Sequence, residues 1–258
     1  KSAGFSAYIV GGAVRDLLVG RTPKDFDVVT DAHPRQLKRL FRNSRIIGKR
    51  FRLVHIYFHE KIIEVSTFRA LDAGGESNVY GTIQDDVQRR DFTLNALYYC
   101  PIEGIIIDYI GGVRDIRKRM VKPLIPLKTI FTEDPVRMVR AVKYSAALEF
   151  RLPFLLRYKM RSQAGLLEGI SSSRLTEELF KILQSGSSAR IFRSMYDLGV
   201  LRPFMPALAE ALKNDRDGYR ARFFATLEGL DSTIEDSMER HRLVLPLVKD
   251  YVEALIKE

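Results

Sequence analysis

Residues 7–30, AYIVGGAVRDLLVGRTPKDFDVVT, narrow the possible folds more than any other stretch. The apolar run Ala7–Val10 has strand character and stops at Gly11-Gly12; AVRDLLV then opens a helix, and DFDVVT reads as a second strand. Strand, short helix and strand in this order build a small sheet with a helix laid on it, a mixed α/β unit. RQLKRLFRN continues with helical spacing, Leu37, Leu40 and Phe41 on one side and Lys38, Arg39 and Arg42 on the other. RLVHIYFHEKIIEVSTF reads as two further strands about a turn at His59-Glu60-Lys61. ALDAGGESN is a loop by composition. TIQDDVQRRDFTLNALYY is predicted as one helix, opened by Thr82 and Asp85 at capping-box spacing, with Asp85 in place of the preferred Glu or Gln. GIIIDYI is a short strand ended by Gly111-Gly112. GGAVRDLL and GGVRDI echo one another too briefly to make a repeat.

From Thr132 onward the period changes to that of helices: EDPVRMVRAVKYSAALEF, FLLRYKMRSQAGLL, SRLTEELFKILQSG and SARIFRSMYDLGVL. Pro135 suits an N-terminal helical turn, where a missing N–H costs little. The expected fold is therefore α+β: a compact head with a small mixed sheet, then an all-helical remainder. A chain of 258 residues, 46% hydrophobic, can bury cores for one large domain or two to three small ones. No apolar run reaches membrane length, and KSAGFSAYIV has no signal-peptide layout, so a soluble protein is expected. The start lacks methionine, which suggests a trimmed N-terminus. Cys100 is the sole cysteine; it excludes an internal disulfide and a multi-cysteine zinc site and suits a reducing cytoplasm. The net charge of +10 and pI near 9.7 point to a polyanionic partner, nucleic acid ahead of membrane, since no basic amphipathic anchor stands out.

Four clusters carry the candidate chemistry. In DFD, alternation on a strand puts Asp25 and Asp27 on one face and turns Phe26 into the core. Adjacent carboxylates repel unless a cation lies between them, and hard oxygen ligands select Mg²⁺ or Mn²⁺. Glu64, in a strand able to pair alongside, is a third carboxylate; three can hold two metals roughly 4 Å apart for in-line phosphoryl displacement. The plain alternative is polar decoration of a strand edge. Gly11-Gly12 between strand and helix exposes backbone N–H groups to an anion, within reach of Arg15, or is simply a tight turn. In QRRDFTLNAL, helical spacing places Asp91 and Asn95 on one face, suited to a ribose hydroxyl, with Arg89 or Arg90 for phosphate and Phe92 and Leu94 for packing. In EDPVRMVRA, Asp134 and Arg137 form either a surface ion pair of little worth or an acceptor-and-donor set. Adenine and cytosine each present an amino donor beside a ring-nitrogen acceptor, which this set complements, whereas guanine and uracil present the reverse; discrimination of about 1–3 kcal/mol per bidentate contact is expected. Arg35, Lys38, Arg39, Arg42, Arg45, Lys49, Arg50 and Arg52, with Tyr57, Phe51 and Phe58 near them, offer a phosphate track for a single strand. His55, on an apolar strand, is expected to be structural.

In this order, GGAVRDLLVG…KDFDVVT, IIEVSTFR, RRDFTLNAL, DYIGG, EDPVRMVRA and SSRLTEELF resemble the class II nucleotidyltransferases, the bacterial poly(A) polymerases and CCA-adding enzymes, from about Tyr8 to Gln184. The resemblance implies a polymerase-β-like palm in a catalytic head at 1–125, a helical neck with the base-reading motif at 126–186, and an RNA-binding helical body at 187–258. It implies that Asp25 and Asp27 bind two Mg²⁺ ions (or Mn²⁺) with Glu64 as third carboxylate. Gly11, Gly12 and Arg15 would cradle the triphosphate, and Arg90, Asp91 and Asn95 would read the ribose. Asp134 and Arg137, assisted by Arg140, would read the base, and Arg174 and Glu178 would hold the base-reading helix; Lys49, Arg50 and Arg52 would bind RNA. The segment Ile46-Ile47-Gly48-Lys49-Arg50-Phe51-Arg52-Leu53-Val54-His55 matches the poly(A) polymerase branch. That branch implies cytoplasmic polyadenylation of single-stranded RNA 3′ ends from ATP, with CCA addition to tRNA from CTP and ATP as the alternative and a non-catalytic RNA-binding protein as a distant one. The loop near 70–79 and the helical end are shorter than the resemblance leads one to expect.

Overall fold

The computed structural model describes residues 1–48, 52–59, 61–71, 79–235, 238–245 and 247–248. The chain forms two compact units, one of Lys1–Lys118 with Lys122–Ile125, the other of Arg119–Val121 with the chain from Pro126 onward. The excursion of Arg119–Val121 into the second unit has a local cause. Val121 N–H donates to the Arg151 carbonyl and Arg151 N–H to the Arg119 carbonyl, at 3.0 and 2.8 Å, around a parallel bridge between Met120 and Arg151.

In the first unit, β1 (Ala7–Val10), β2 (Asp27–Thr30), β3 (Ser44–Ile47), β4 (Leu53–Phe58), β5 (Lys61–Thr67), β6 (Tyr98–Cys100) and β7 (Ile105–Ile107) form one sheet in the order β3-β4-β5-β2-β1-β6-β7. β2 and β5 run parallel; the other neighbours are antiparallel. The strands are accompanied by α1 (Gly12–Leu18), α2 (Pro34–Leu40), α3 (Ile83–Gln88) and α4 (Gly112–Arg117). Alternation gives the sheet two apolar sides. Val10, Val29 and Tyr98 pack with Val87 of α3 and Phe68; Val54, Ile56 and Val65 pack with Ala32 and Leu37 of α2.

Three expectations are corrected here. β2 begins at Asp27, so Asp25 and Phe26 lie before the strand, and Phe26 is 43% exposed rather than core. Leu40 is exposed too, because the chain turns extended at Phe41 (φ −119°, ψ 101°) and α2 ends there. The long helix predicted from Thr82 stops at Gln88; a single 3₁₀ turn, Thr93–Asn95, and then β6 follow. Phe92, Leu94, Ala96, Leu97 and Tyr98 are all fully buried, and an apolar run buried on every side carries no period to tell helix from strand. The predicted capping box is present: Asp85 N–H donates to Thr82 Oγ1 and Thr82 N–H to the Asp85 carboxylate. The hydrogen bonds from Thr82, the backbone one foremost, hold the Asp85 carboxyl below its ordinary range.

The second unit contains α5 (Ile130–Glu133), α6 (Val136–Leu148), α7 (Phe154–Gln163), α8 (Ser172–Leu183), α9 (Ser188–Asp197), α10 (Leu201–Phe204), α11 (Pro206–Asn214) and α12 (Tyr219–Thr233). Pro135 caps α6, and Glu149 in the left-handed region ends it. Met138, Val142, Met160, Ile182, Phe192 and Phe223 are buried at its core.

Candidate active site

Asp27 opens β2 directly opposite Val10, the residue before Gly11-Gly12, and opposite Glu64 across the parallel β2–β5 pair. Residues in register on adjacent strands share a face, so Asp27 and Glu64 stand side by side next to the glycine turn. The row continues to His55 on β4 and Arg45 on β3. His55 Nε2 lies 3.3 Å from Glu64 Oε2, so the histidine expected to be structural touches a candidate acid. Asp25 and Asp27 are exposed at the head of the strand.

At the turn, Gly11 adopts φ 70° and ψ −123°, a conformation that a side chain strains. A Cβ there would meet Arg90 Nη1 at 3.4 Å. α1 opens without a side-chain cap. α4, which begins with the second Gly-Gly pair, is sealed: Asp108 Oδ1 accepts from the N–H groups of Ile110, Gly111 and Gly112, and Oδ2 from Val113, at 2.8–3.2 Å. The two echoing motifs are thus both helix openings, one filled by a carboxylate and one not.

Arg15 Nη1 donates to Asn95 Oδ1 at 2.8 Å, and Asn95 Nδ2 to Asp91 Oδ1 at 3.1 Å. Asp91 and Asn95 do meet, through the 3₁₀ turn rather than along an α-helix, and Asn95 ties them to Arg15. The Arg15 guanidinium also engages Asp16. Arg90, expected at the ribose or a phosphate, donates to Asp86 (2.9 Å), the Tyr98 hydroxyl (3.1 Å) and the Asn95 carbonyl (3.1 Å). Burial, the largest single effect, disfavours its charge, but Asp86 and Tyr98 together more than compensate and raise its pKa. Burial, reinforced by Asp86, pushes the Tyr98 hydroxyl upward as well. Arg89 donates to the Ala70 carbonyl.

In the second unit, Asp134 leaves α5 in an extended conformation, and Arg174 Nη2 donates to both of its carboxylate oxygens at 3.0 Å. Arg137 Nη1 donates to Glu133 Oε2 at 2.9 Å and to the Ile130 carbonyl at 3.0 Å. Hydrogen bonds from Arg137, the main cause, and from Thr129 draw the Glu133 carboxyl below its usual range. Arg140 Nε and Lys143 Nζ converge on buried Glu178 at 3.0 and 2.7 Å. Burial alone would raise the Glu178 carboxyl; Lys143, Arg140 and Lys181 overcome it and lower the pKa.

Comparison with known proteins gives two family matches, "Poly A polymerase head domain" over residues 7–122 and "Probable RNA and SrmB- binding site of polymerase A" over 149–212. Poly(A) polymerase I of Salmonella typhi is 39% identical over 92% of this chain and 54% of its own length. The chain belongs to the class II nucleotidyltransferases. A CCA-adding enzyme of Bacillus licheniformis is 35% identical over 78% of the chain and 52% of that protein. The crystal structure of the Bacillus stearothermophilus CCA-adding enzyme in complex with CTP superposes with a TM-score of 0.75 at 30% identity, covering 97% of this chain and 62% of the other. The chain spans about half the length of the curated relatives it matches.

Among the described residues of this family member, no three His, Cys, Asp or Glu side chains form a ready-made metal cage. Mg²⁺ does not require one, because it keeps several waters and is held by one or two carboxylates plus substrate phosphates. Exposed Asp25 and Asp27 fit that donor set, while Glu64 is shared with His55. Lys49, Arg50 and Phe51 lie outside the described residues. Arg35, Lys38, Arg39, Arg42, Arg45 and Arg52 are exposed, with Lys38 reaching the Ser44 carbonyl. Sequence reasoning missed Asp86, Glu133 and Lys143. Asp86–Arg90 and Glu133–Arg137 had a signal, an acid four residues before an arginine; Lys143–Glu178 joins two helices and had none. No helix among the described residues is long and apolar enough to cross a membrane.

Proposed function

We propose that this chain adds AMP from ATP to RNA 3′ ends without a template, releasing pyrophosphate, as a cytoplasmic poly(A) polymerase. The observation that carries this reading is the register of Asp27 with both Glu64 and Val10, which sets the acids beside an uncapped glycine turn. The Gly11-Gly12 turn, through the N–H groups from Gly12 onward, and Arg15 receive the triphosphate; Asn95 and Asp91, with Arg90 bonded to the Asn95 carbonyl, orient the ribose. Asp134 and Arg137 read the adenine amino group and its neighbouring ring nitrogen, with Arg140, Arg174 and Glu178 fixing the element that carries them. Asp25 and Asp27 would hold Mg²⁺, which when bound would supply Lewis-acid stabilisation of charge at the α-phosphate. The RNA 3′-hydroxyl gives up its proton to solvent, its oxygen forms a bond to the α-phosphorus, and the bond from that phosphorus to the pyrophosphate oxygen breaks. We read 1–125 as head, 126–186 as neck and 187–258 as RNA-binding body.

ATP is favoured over a CTP-then-ATP programme by the Ile46–His55 segment and by the greater likeness to relatives named Poly(A) polymerase I. CCA addition is the second reading, favoured by the structural likeness to the CCA-adding enzyme. Extension of an A-tailed oligomer and of a tRNA lacking CCA, with ATP, CTP or both, separates the two. Long ladders from ATP alone support polyadenylation; a CTP-requiring stop after three nucleotides overturns it. Asp27→Ala is expected to abolish Mg²⁺-dependent incorporation, and an unchanged rate removes the metal assignment.

A further inference from the structure

Helix α7 is amphipathic, with an aromatic and basic stripe on its outer face. Leu156 and Met160 are fully buried, which sets its inner side. On the other side Phe154 is 71% exposed, Leu155 63% and Tyr158 65%. Phe154, Arg157, Tyr158 and Arg161 fall at i, i+3, i+4 and i+7, one stripe of a helix, and both arginines are exposed. The helix FLLRYKMRSQ contains three basic residues and no acid. Arg119 and Arg151, paired through their backbones just before α7, are exposed and basic as well.

Large aromatic rings left open to water, alternating with guanidinium groups, suit a ligand that supplies flat π-faces and negative charges in alternation. A single-stranded nucleic acid does both: bases stack on the rings while phosphates meet the arginines. Two rings one helical turn apart match stacking that tolerates any base, as a substrate strand of varying sequence requires. We infer that Phe154 and Tyr158 form a stacking platform for single-stranded RNA, with Arg157 and Arg161 contacting its phosphates. This inference rests on the RNA-extending function proposed above and assigns the residues that grip the strand. The absence of acids on α7, together with the chain's charge of +10, favours RNA over a second protein as the occupant.

Fluorescence anisotropy with a labelled single-stranded A-rich oligomer tests it. Phe154→Ala/Tyr158→Ala is expected to weaken RNA binding by roughly thirtyfold or more, while Phe154→Tyr/Tyr158→Phe, which keeps both rings, restores it. Arg157→Gln is expected to flatten the log–log salt dependence by about 0.7, one phosphate contact on a single strand. ATP affinity, measured on the same preparations, checks that the fold is intact. Wild-type RNA affinity in the double alanine variant overturns the proposal, whether or not that variant changes the mass seen by sedimentation; a changed mass would make the stripe a protein interface. A wild-type protein that neither binds nor extends RNA overturns the enzymatic reading itself.

Discussion

His55 sits at 3.3 Å from Glu64, on the strand next to it, and its imidazole is three-quarters covered. A side chain in that position fixes the carboxylate's rotamer, and partners one shell out from a metal site typically affect activity 10–100-fold. His55→Ala is expected to slow single-turnover extension by about that factor, with His55→Gln retaining more because its amide still bonds Glu64. Equal rates for the two variants would count against a positioning role. Gly11 permits a second prediction at this scale. Its φ of 70° with ψ −123° makes Gly11→Ala strained by about 1–3 kcal/mol, with the new methyl against Arg90. Lower thermal stability and a raised KM for ATP are expected together. Gly11, Asp27 and Glu64 were legible as candidates because each belongs to a local pattern. The burial of Arg90 was not legible, because it depends on Asp86 and Tyr98 arriving from α3 and β6.

At the scale of elements, the link between α6 and α8 is one buried carboxylate with two cations. Glu178→Gln leaves Lys143 and Arg140 facing a neutral amide, and breaking a buried pair costs about 3–5 kcal/mol. Urea denaturation of the whole chain should show that loss. The pH sign follows from the lowered carboxyl. Stability from Glu178 is complete above its unfolded value, near 4.5, and is lost as pH falls through the lower folded value. Acid unfolding of wild type but not of Glu178→Gln should therefore steepen below about pH 4.5. Asp108 plays a comparable part at α4. Asp108→Ala strands four N–H groups and is expected to destabilise the head by about 1–2 kcal/mol, seen as a lower Tm. The strands and most helices of the chain were legible because their apolar periods differ; the stretch from Gln88 to Tyr98 was not, since burial on all sides erases the period.

For the whole molecule, the charge of +10 makes the proposed RNA binding a function of salt. With about five phosphate contacts the log–log slope for a single strand is expected near −3.5, measured between 50 and 200 mM salt. A slope near zero would show that charge does not drive binding. The division into an α/β unit and a helical unit was readable from the change of period near Thr132. The exchange of Arg119–Val121 into the second unit was not, since it depends on backbone bonds to Arg151 that no side-chain pattern encodes.

The parallel pairing of β2 with β5 also sets an order in time. β5 enters the sheet between β2 and β4, so the ribosome must release the chain through Thr67 before Glu64 can reach Asp27. Such a closure spans a long loop and is intrinsically slow relative to hairpin formation between β4 and β5. During synthesis the acids therefore remain apart while β1, β2 and the β4–β5 hairpin form. On the proposed function, the nascent chain is inert towards nucleotide until its central strand docks, and regain of activity on refolding should lag behind the recovery of secondary structure.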